Sequence, residues 1–443
     1  MLFGILQREL ARRRPMQESL SPQEKAFRLA ALGLLALGLL LQFWLWFQGA
    51  PHSLLSDGPD GLILNSPEPN DPDSRWLGDQ IGLLEPAIEF ANNGTVPQSA
   101  KRSSGGGMTP GALLPMLIGT SLRIIPDYRS ATFILILADG LAAIAITQVM
   151  VLAGGWRFAL IFLAVFWISP WRLFHSGFLW DPSFIVLPAC AHLWTSWRLR
   201  ESDRFGSSFI LGVVLASSVQ LHLSSFVLWI ITAALYTVRL IRIRISGFFL
   251  GMILGGLTLL PLLWEVSQGQ PLDLPKPDES AEIHWLKAPL RMFRAGIYWL
   301  RLGGGDLGRR TTESLPDLSG VEWLQGVVFV ASALTAFVAL AANATVIRRT
   351  VRCQTAPGKK FLLRYAEIML FSTLLATAFS PVTPQGWDLL IALVAACIPV
   401  ALWIDHARIK ESLGMRTTLI AFFLIRFSII LLVGLGHPFY NLG

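Results

Sequence analysis

The sequence predicts an all-α integral membrane protein of about eleven transmembrane helices, with a large first outer loop bearing interfacial helices and a second outer loop at about 266–320. Three observations carry that prediction. The chain is 53% hydrophobic and 15% charged, with a mean hydropathy of +0.55, too oily for a soluble domain of ordinary composition. Apolar runs of about 17 to 25 residues, the length a bilayer demands, recur from Phe27 to Gly434, so a single signal or anchor does not explain the composition. Basic residues also gather in connections that fall on one side of such a bundle. A secreted or cytosolic enzyme is excluded. The net charge of +7 arises loop by loop from 36 Lys+Arg against 29 Asp+Glu, and no nucleic-acid partner is indicated. Cys190, Cys353 and Cys397 have no zinc-site or disulfide spacing.

The first span, Phe27 to about Phe47, follows Arg8, Arg12, Arg13, Arg14, Lys25 and Arg28, which fixes the N-terminus (1–26) in the cytoplasm by the positive-inside rule. Met1 to Arg14 pairs Leu2, Phe3, Leu6 and Leu10 with the basic cluster; it reads equally as a surface amphipathic helix or a frayed tail. No cleaved signal peptide is expected. The polar stretch 49–109 carries eight acids and three bases and belongs on the outer face. The run Pro110 to Ile125 is short, contains Pro115 and Arg123, and reads as an interfacial or re-entrant helix. The remaining spans are then 130–153, 156–170, 182–198, 207–221, 223–238, 247–265, 321–345, 363–380, 386–404 and 417–435. In this register Arg157, Arg198 to Arg204, Arg239/Arg242/Arg244, Arg348 to Arg364 and Arg408 to Arg416 all fall inside. Trp44, Trp46, Trp264, Trp323 and Trp387 fall at outer ends, where amphipathic rings favour the headgroup level. Ser217 to His222 becomes an outward hairpin tip. Spans after residue 245 are nearly free of internal charge; Asp139 and Glu367 are the main intramembrane exceptions. Unusual polar groups gather instead at outer ends of the N-terminal half: Asp79, Glu85, His175, Asp181, Gln220 and His222.

The stretch Trp76 to Gly94 reads as an acid, Asp79, opening a short amphipathic helix that ends at Gly94. An Asp soon after the first span, a Gly fifteen residues on, and the turn Met108-Thr109-Pro110 opening an apolar interfacial helix form a pattern. Trp180-Asp181-Pro182 then opens a span, and Gln220-Leu221-His222 occupies a hairpin. This order resembles the polytopic C-type glycosyltransferases, such as the bacterial aminoarabinose transferases and the protein O-mannosyltransferases, over residues 27–265.

The resemblance implies transfer of a sugar from a polyprenyl-phosphate donor to an acceptor lipid, glycan or protein at the outer face of a bacterial inner membrane, with 27–265 as catalytic module and 321–443 shaping a lipid groove. Asp79 matches the family's catalytic base, and an Asp also suits a helix N-cap. Many relatives carry a second acid directly after it, where this chain has Gln80, so no metal-binding carboxylate pair is supported and any divalent metal is left open. Asp181 either orients the acceptor or Asp79, or caps the span opened by Pro182. His222 is a candidate phosphate contact when protonated or a hydrogen-bonded helix histidine. Arg291 and Arg294, with Arg301, share one helix face; they are candidates for a phosphate clamp or for general anionic-lipid binding. The Gly105-Gly106-Gly107 run lacks the Lys and strand of a P-loop. A transporter or flippase for lipids or lipid-linked sugars, and a family member without catalysis, are the rival readings.

Overall fold

In the computed structural model, residues 21–49, 54–59, 61–65, 74–102, 108–269, 285–313, 322–350, 356–380, 383–407 and 412–437 are described. Met1 to Arg14 and the Gly105–Gly107 run lie outside them. The protein is overwhelmingly helical. Among the described residues, seven helical stretches are long and apolar enough to cross a membrane: Pro22–Gln48, Tyr128–Phe166, Ile245–Ser267, Trp323–Val346, Pro357–Ala378, Trp387–His406 and Leu413–Gly436. Shorter apolar helices lie at Leu113–Ile124, Phe205–Ser218 and Leu223–Thr237.

Helix α1 (Pro22–Gln48) begins at a capping box in which Ser21 and Glu24 satisfy each other's backbone N–H. The loop region that follows departs from expectation: besides α2 (Ser74–Asn93) and α3 (Leu113–Ile124), its described residues hold two antiparallel ribbons. In one, β1 (Leu55–Gly58) pairs with β2 (Gly61–Leu64); in the other, β3 (Ser99–Arg102) pairs with β4 (Met108–Pro110). Asn92 of α2 clamps the first ribbon, donating to Leu62 O at 3.0 Å and accepting from Leu62 N–H at 3.1 Å. Such short strands carry little apolar alternation, so composition alone hides them.

The stretch α4 (Tyr128–Phe166) is two helices meeting at Gly155, whose φ of 77° only glycine adopts without strain. That break agrees with the expected boundary between spans 130–153 and 156–170. A short α5 (Pro170–Phe174), an irregular segment and a 3-10 turn (Asp181–Ile185) lead into α6 (Val186–Leu199). Next come α7 (Phe205–Ser218), the turn Leu223–Ser225, α8 (Phe226–Thr237), α9 (Ile245–Gly256) and α10 (Leu260–Ser267). Helices α7 and α9 approach closely because Gly247, Gly251 and Gly255 recur every four residues against the carbonyls of Phe205, Phe209 and Val213.

Within the segment expected as a second outer loop, the described stretch 285–313 packs into the bundle. Helix α11 (Ala288–Gly304) packs among α13 (Glu322–Thr350), α14 (Pro357–Ala378) and α15 (Leu393–His406), and its Gly303 meets Ala396 half-way along the Trp387–His406 stretch. Gly305 (φ 89°) ends it, and α12 (Arg309–Glu313) follows. The buried C-terminal carbonyls of α11 need partners. Arg426 of α16 (Leu413–Gly436) supplies them, donating to Gly304 O at 2.7 Å, Gly303 O at 3.3 Å and Val165 O. Arg426 therefore corrects the expectation that spans after residue 245 hold almost no charge beyond Glu367.

A second buried cation ties the N-terminal half together. Arg172 donates to Asp139 Oδ2 at 2.7 Å, Gln42 Oε1 at 3.1 Å and Trp167 O at 2.8 Å, and lies 3.6 Å over the Trp167 ring. Gln42 also donates to Asp139, at 3.0 Å.

Two outcomes test this packing by thermal unfolding in detergent. Gly251→Leu drives a side chain into the Phe209 carbonyl and is expected to cost about 1–3 kcal/mol or more, whereas Gly256→Ala, with nothing within 4 Å of the added carbon, is expected to be nearly silent. Asp139→Leu strands Arg172 and should cost roughly 3–5 kcal/mol, most of it recovered in Asp139→Leu/Arg172→Met.

Candidate functional site

Three helix starts, remote in sequence, meet at one end of the bundle. Asp181 is the first residue of the turn that opens α6; His222 precedes the turn that opens α8; Asp388 is the second residue of the 3-10 turn Trp387–Ala392 that opens α15. The His222 Nε2 stands 3.7 Å from Asp181 Oδ2 and 3.7 Å from Asp388 Oδ1. Its Nδ1 accepts the Ser224 backbone N–H at 3.1 Å and lies 2.8 Å from Ser224 Oγ. Carboxylates at helix starts lie in the favourable field of unpaired backbone N–H groups, which suits Asp181 and Asp388 to these positions. The Trp180 and Trp387 rings lie 5.2 Å apart beside them.

Asp388 was not among the residues singled out from sequence, yet a signal was present. Trp180-Asp181 and Trp387-Asp388 are the same dipeptide, each opening an apolar helix. The carboxylate of Asp388 is held by the Gln385 N–H, which donates to Oδ2 at 2.8 Å, and the Gln385 side chain is held in turn by Arg294 Nη2, which donates to its Oε1 at 2.7 Å.

Asp79 is the sixth residue of α2, which starts at Ser74, so it is an exposed helix-interior residue rather than an N-cap. Its neighbour Gln80 is buried and accepts from the Tyr128 hydroxyl, whose oxygen accepts the Leu179 N–H at 3.0 Å. This chain of contacts anchors α2 two residues from Asp181.

Gln220 is placed differently. Fully buried, it donates to Gly255 O at 2.9 Å and Ala216 O at 3.2 Å, accepts from Thr258 Oγ at 2.7 Å, and fills the space over Gly111. Its amide braces α7, α9 and the start of α3. Arg291 and Arg294 both have protein partners. Arg291 is 4% exposed and donates to Ser380 O at 2.5 Å, while Leu290 and Phe293 are 67% and 68% exposed. Helix α11 thus turns its arginines toward protein and its apolar side outward, as an element inserted in a bundle must. Arg301 pairs with Asp306 at 3.1 Å. Beside the site, Arg310 lies over the Trp387 ring, pairs with Glu313 at 3.0 Å, and Glu313 lies 3.6 Å from His437 Nε2.

Among the described residues, no group of three or more His, Cys, Asp or Glu side chains is arranged to hold a metal ion. No family model, curated protein or solved structure matches the chain.

His175 is buried within an aromatic cage of Trp171, Phe174, Phe178 and Trp180. Neither ring nitrogen has a hydrogen-bond partner among the described residues. Burial holds its imidazole well below the ordinary histidine range, and Arg310 and His437 push the same way; burial also lowers His437. The unfolded chain takes up these protons near pH 6.5 and the native chain does not. The contribution is therefore intact above about pH 6.5 and lost as pH falls below it. The melting temperature is expected to drop from pH 7 to pH 5, with a shallower drop in His175→Phe.

Proposed function

We propose that the protein is a membrane glycosyltransferase of the bacterial inner membrane, moving a sugar from a polyprenyl phosphate to a hydroxyl of an envelope lipid, glycan or protein at the outer face. One observation carries this reading: the helix bearing Asp79 and the turns bearing Asp181, His222 and Asp388 converge at the bundle end opposite the basic turns. At that opposite end Arg28 lies over Trp156 at 5.6 Å, Lys359 pairs with Asp405 at 2.6 Å, and Arg242 N–H donates to Leu199 O at 2.8 Å. With basic turns inside, the N-terminus is cytoplasmic and the acidic end faces out. Counting the two halves of α4, α6, α7 and α8 as passes gives an eleven-span path consistent with this alternation.

In this chemistry the acceptor oxygen forms a bond to the anomeric carbon, the bond from that carbon to the phosphate oxygen breaks, and the polyprenyl phosphate departs. The acceptor proton passes to the Asp79 carboxylate as general base. Gln80 holds Asp79's helix beside the Trp180-Asp181 turn through Tyr128. A lipid-linked-sugar transporter is the second reading, favoured by the intramembrane pair Asp139–Arg172. Both of those side chains are enclosed and bonded to Gln42, which suits a brace better than a translocation path.

Purified Asp79→Asn is expected to lose at least a hundredfold in sugar transfer from radiolabelled polyprenyl-phosphate sugars while still binding polyprenyl phosphate. Transfer at the wild-type rate would remove Asp79 as the base.

A further inference from the structure

We propose that Asp181, His222 and Asp388 form a subsite for a neutral, hydroxyl-bearing ring, and that the lipid phosphate binds elsewhere. The proposal deepens the transferase reading and rests on it only for the part this ring plays in the reaction. It begins with a tautomer. Because the backbone N–H of Ser224 donates to Nδ1 of His222, that nitrogen carries a lone pair, and the neutral ring bears its proton on Nε2. The Nε2–H then points between two carboxylates at 3.7 Å each, beyond the 2.7–3.2 Å or so of a full N–H···O hydrogen bond. The gap presents one donor flanked by two acceptors.

Ligand chemistries divide sharply on that pattern. A phosphate meets two carboxylates and a single donor, the nearby Arg294 and Arg310 being engaged by Gln385 and Glu313, and is disfavoured. An ammonium, which can only donate, leaves the Nε2–H facing another donor. A hydroxyl accepts from Nε2–H and donates to a carboxylate in the same act, and vicinal hydroxyls on a ring reach both acids. Asp388 is held for this purpose: its Oδ2 is taken by Gln385, itself gripped by Arg294, which leaves Oδ1 turned toward His222.

Side-chain exposure rises from 8% at Asp181 through 14% at His222 to 26% at Asp388, so a ligand reaches the gap from the Asp388 side. There the half-buried Trp387 lies between Trp180 and Arg310, whose guanidinium sits over its ring, so a ligand meets its rim. Phosphate recognition is accordingly removed from His222.

The test uses the full chain in nanodiscs, titrated with a panel of methyl hexopyranosides and pentopyranosides and, separately, with undecaprenyl phosphate. At least one glycoside is expected to bind the wild type. Asp388→Asn should weaken it at least tenfold while changing the affinity for undecaprenyl phosphate less than twofold, which also shows that the variant is folded. Should Asp388→Asn fail to fold, Asp388→Glu, which keeps the charge but shifts the acceptor by one methylene, is read by the same two titrations. A panel with no binder, a variant that binds glycosides like the wild type, or a loss confined to undecaprenyl phosphate would each overturn the subsite. If the wild type bound glycosides in an Asp388-dependent manner yet transferred no sugar, the transferase reading would fall and the subsite would stand.

Discussion

Backbone that is neither helix nor sheet is tolerated inside an apolar bundle only when the protein itself satisfies its polar groups. The chain that leaves α4 at Val165 and runs to Val186, and the buried end of α11, impose that constraint here, and two buried arginines take carbonyls from both. Arg426 takes the carbonyl of Val165 and the last carbonyls of the inserted helix α11; Arg172 takes the carbonyl of Trp167 and is balanced by Asp139. A lone guanidinium in hydrocarbon is expensive, so each is surrounded by acceptors and rings, Trp167 over one and Phe422 beside the other. With these bonds in place the segment can run irregularly toward Asp181. The site depends on this arrangement even though neither arginine belongs to it.

The end of the bundle that holds Asp181, His222 and Asp388 inherits its composition from the same architecture. Irregular segments yield to helices through turns, and those turns place a carboxylate, an imidazole and a second carboxylate where the helix fields are favourable to negative charge. Two of the turns begin Trp-Asp, and their indoles lie against one another. The C-terminal half supplies part of this cluster, because Asp388 and its supports Gln385 and Arg294 all come from beyond residue 285.

Much of the helical layout is legible in the sequence because burial in lipid demands long apolar runs, and the breaks between them carry charge or glycine. The Gly155 turn, the Ser217 to His222 hairpin and the Asp181-Pro182 start are of this kind. The ribbons between α1 and α3 are not legible, since strands of three or four residues leave no periodic signature. Helix α11 misleads for a different reason. Its arginines lie on one face in either setting, and only tertiary partners such as Ser380 and Gln385 decide whether that face meets protein or water. Gln220 misleads likewise: a polar residue at a hairpin tip signals function until the carbonyls of Ala216 and Gly255 claim its amide. Asp388 escaped notice because a lone acid at the start of an apolar run is ordinary; the repeated Trp-Asp gains meaning only when the two copies touch.

The tight winding of those three helix openings has a mechanical consequence. A 3-10 turn rises about 2.0 Å per residue and an α-helix about 1.5 Å, so rewinding one into the other shortens it without disturbing the helix beyond. Over the six residues Trp387–Ala392 that amounts to ~3 Å of axial travel. The three side chains therefore ride on short springs at the mouths of stiff rods, and each can shift along its helix axis while the shaft beyond stays still.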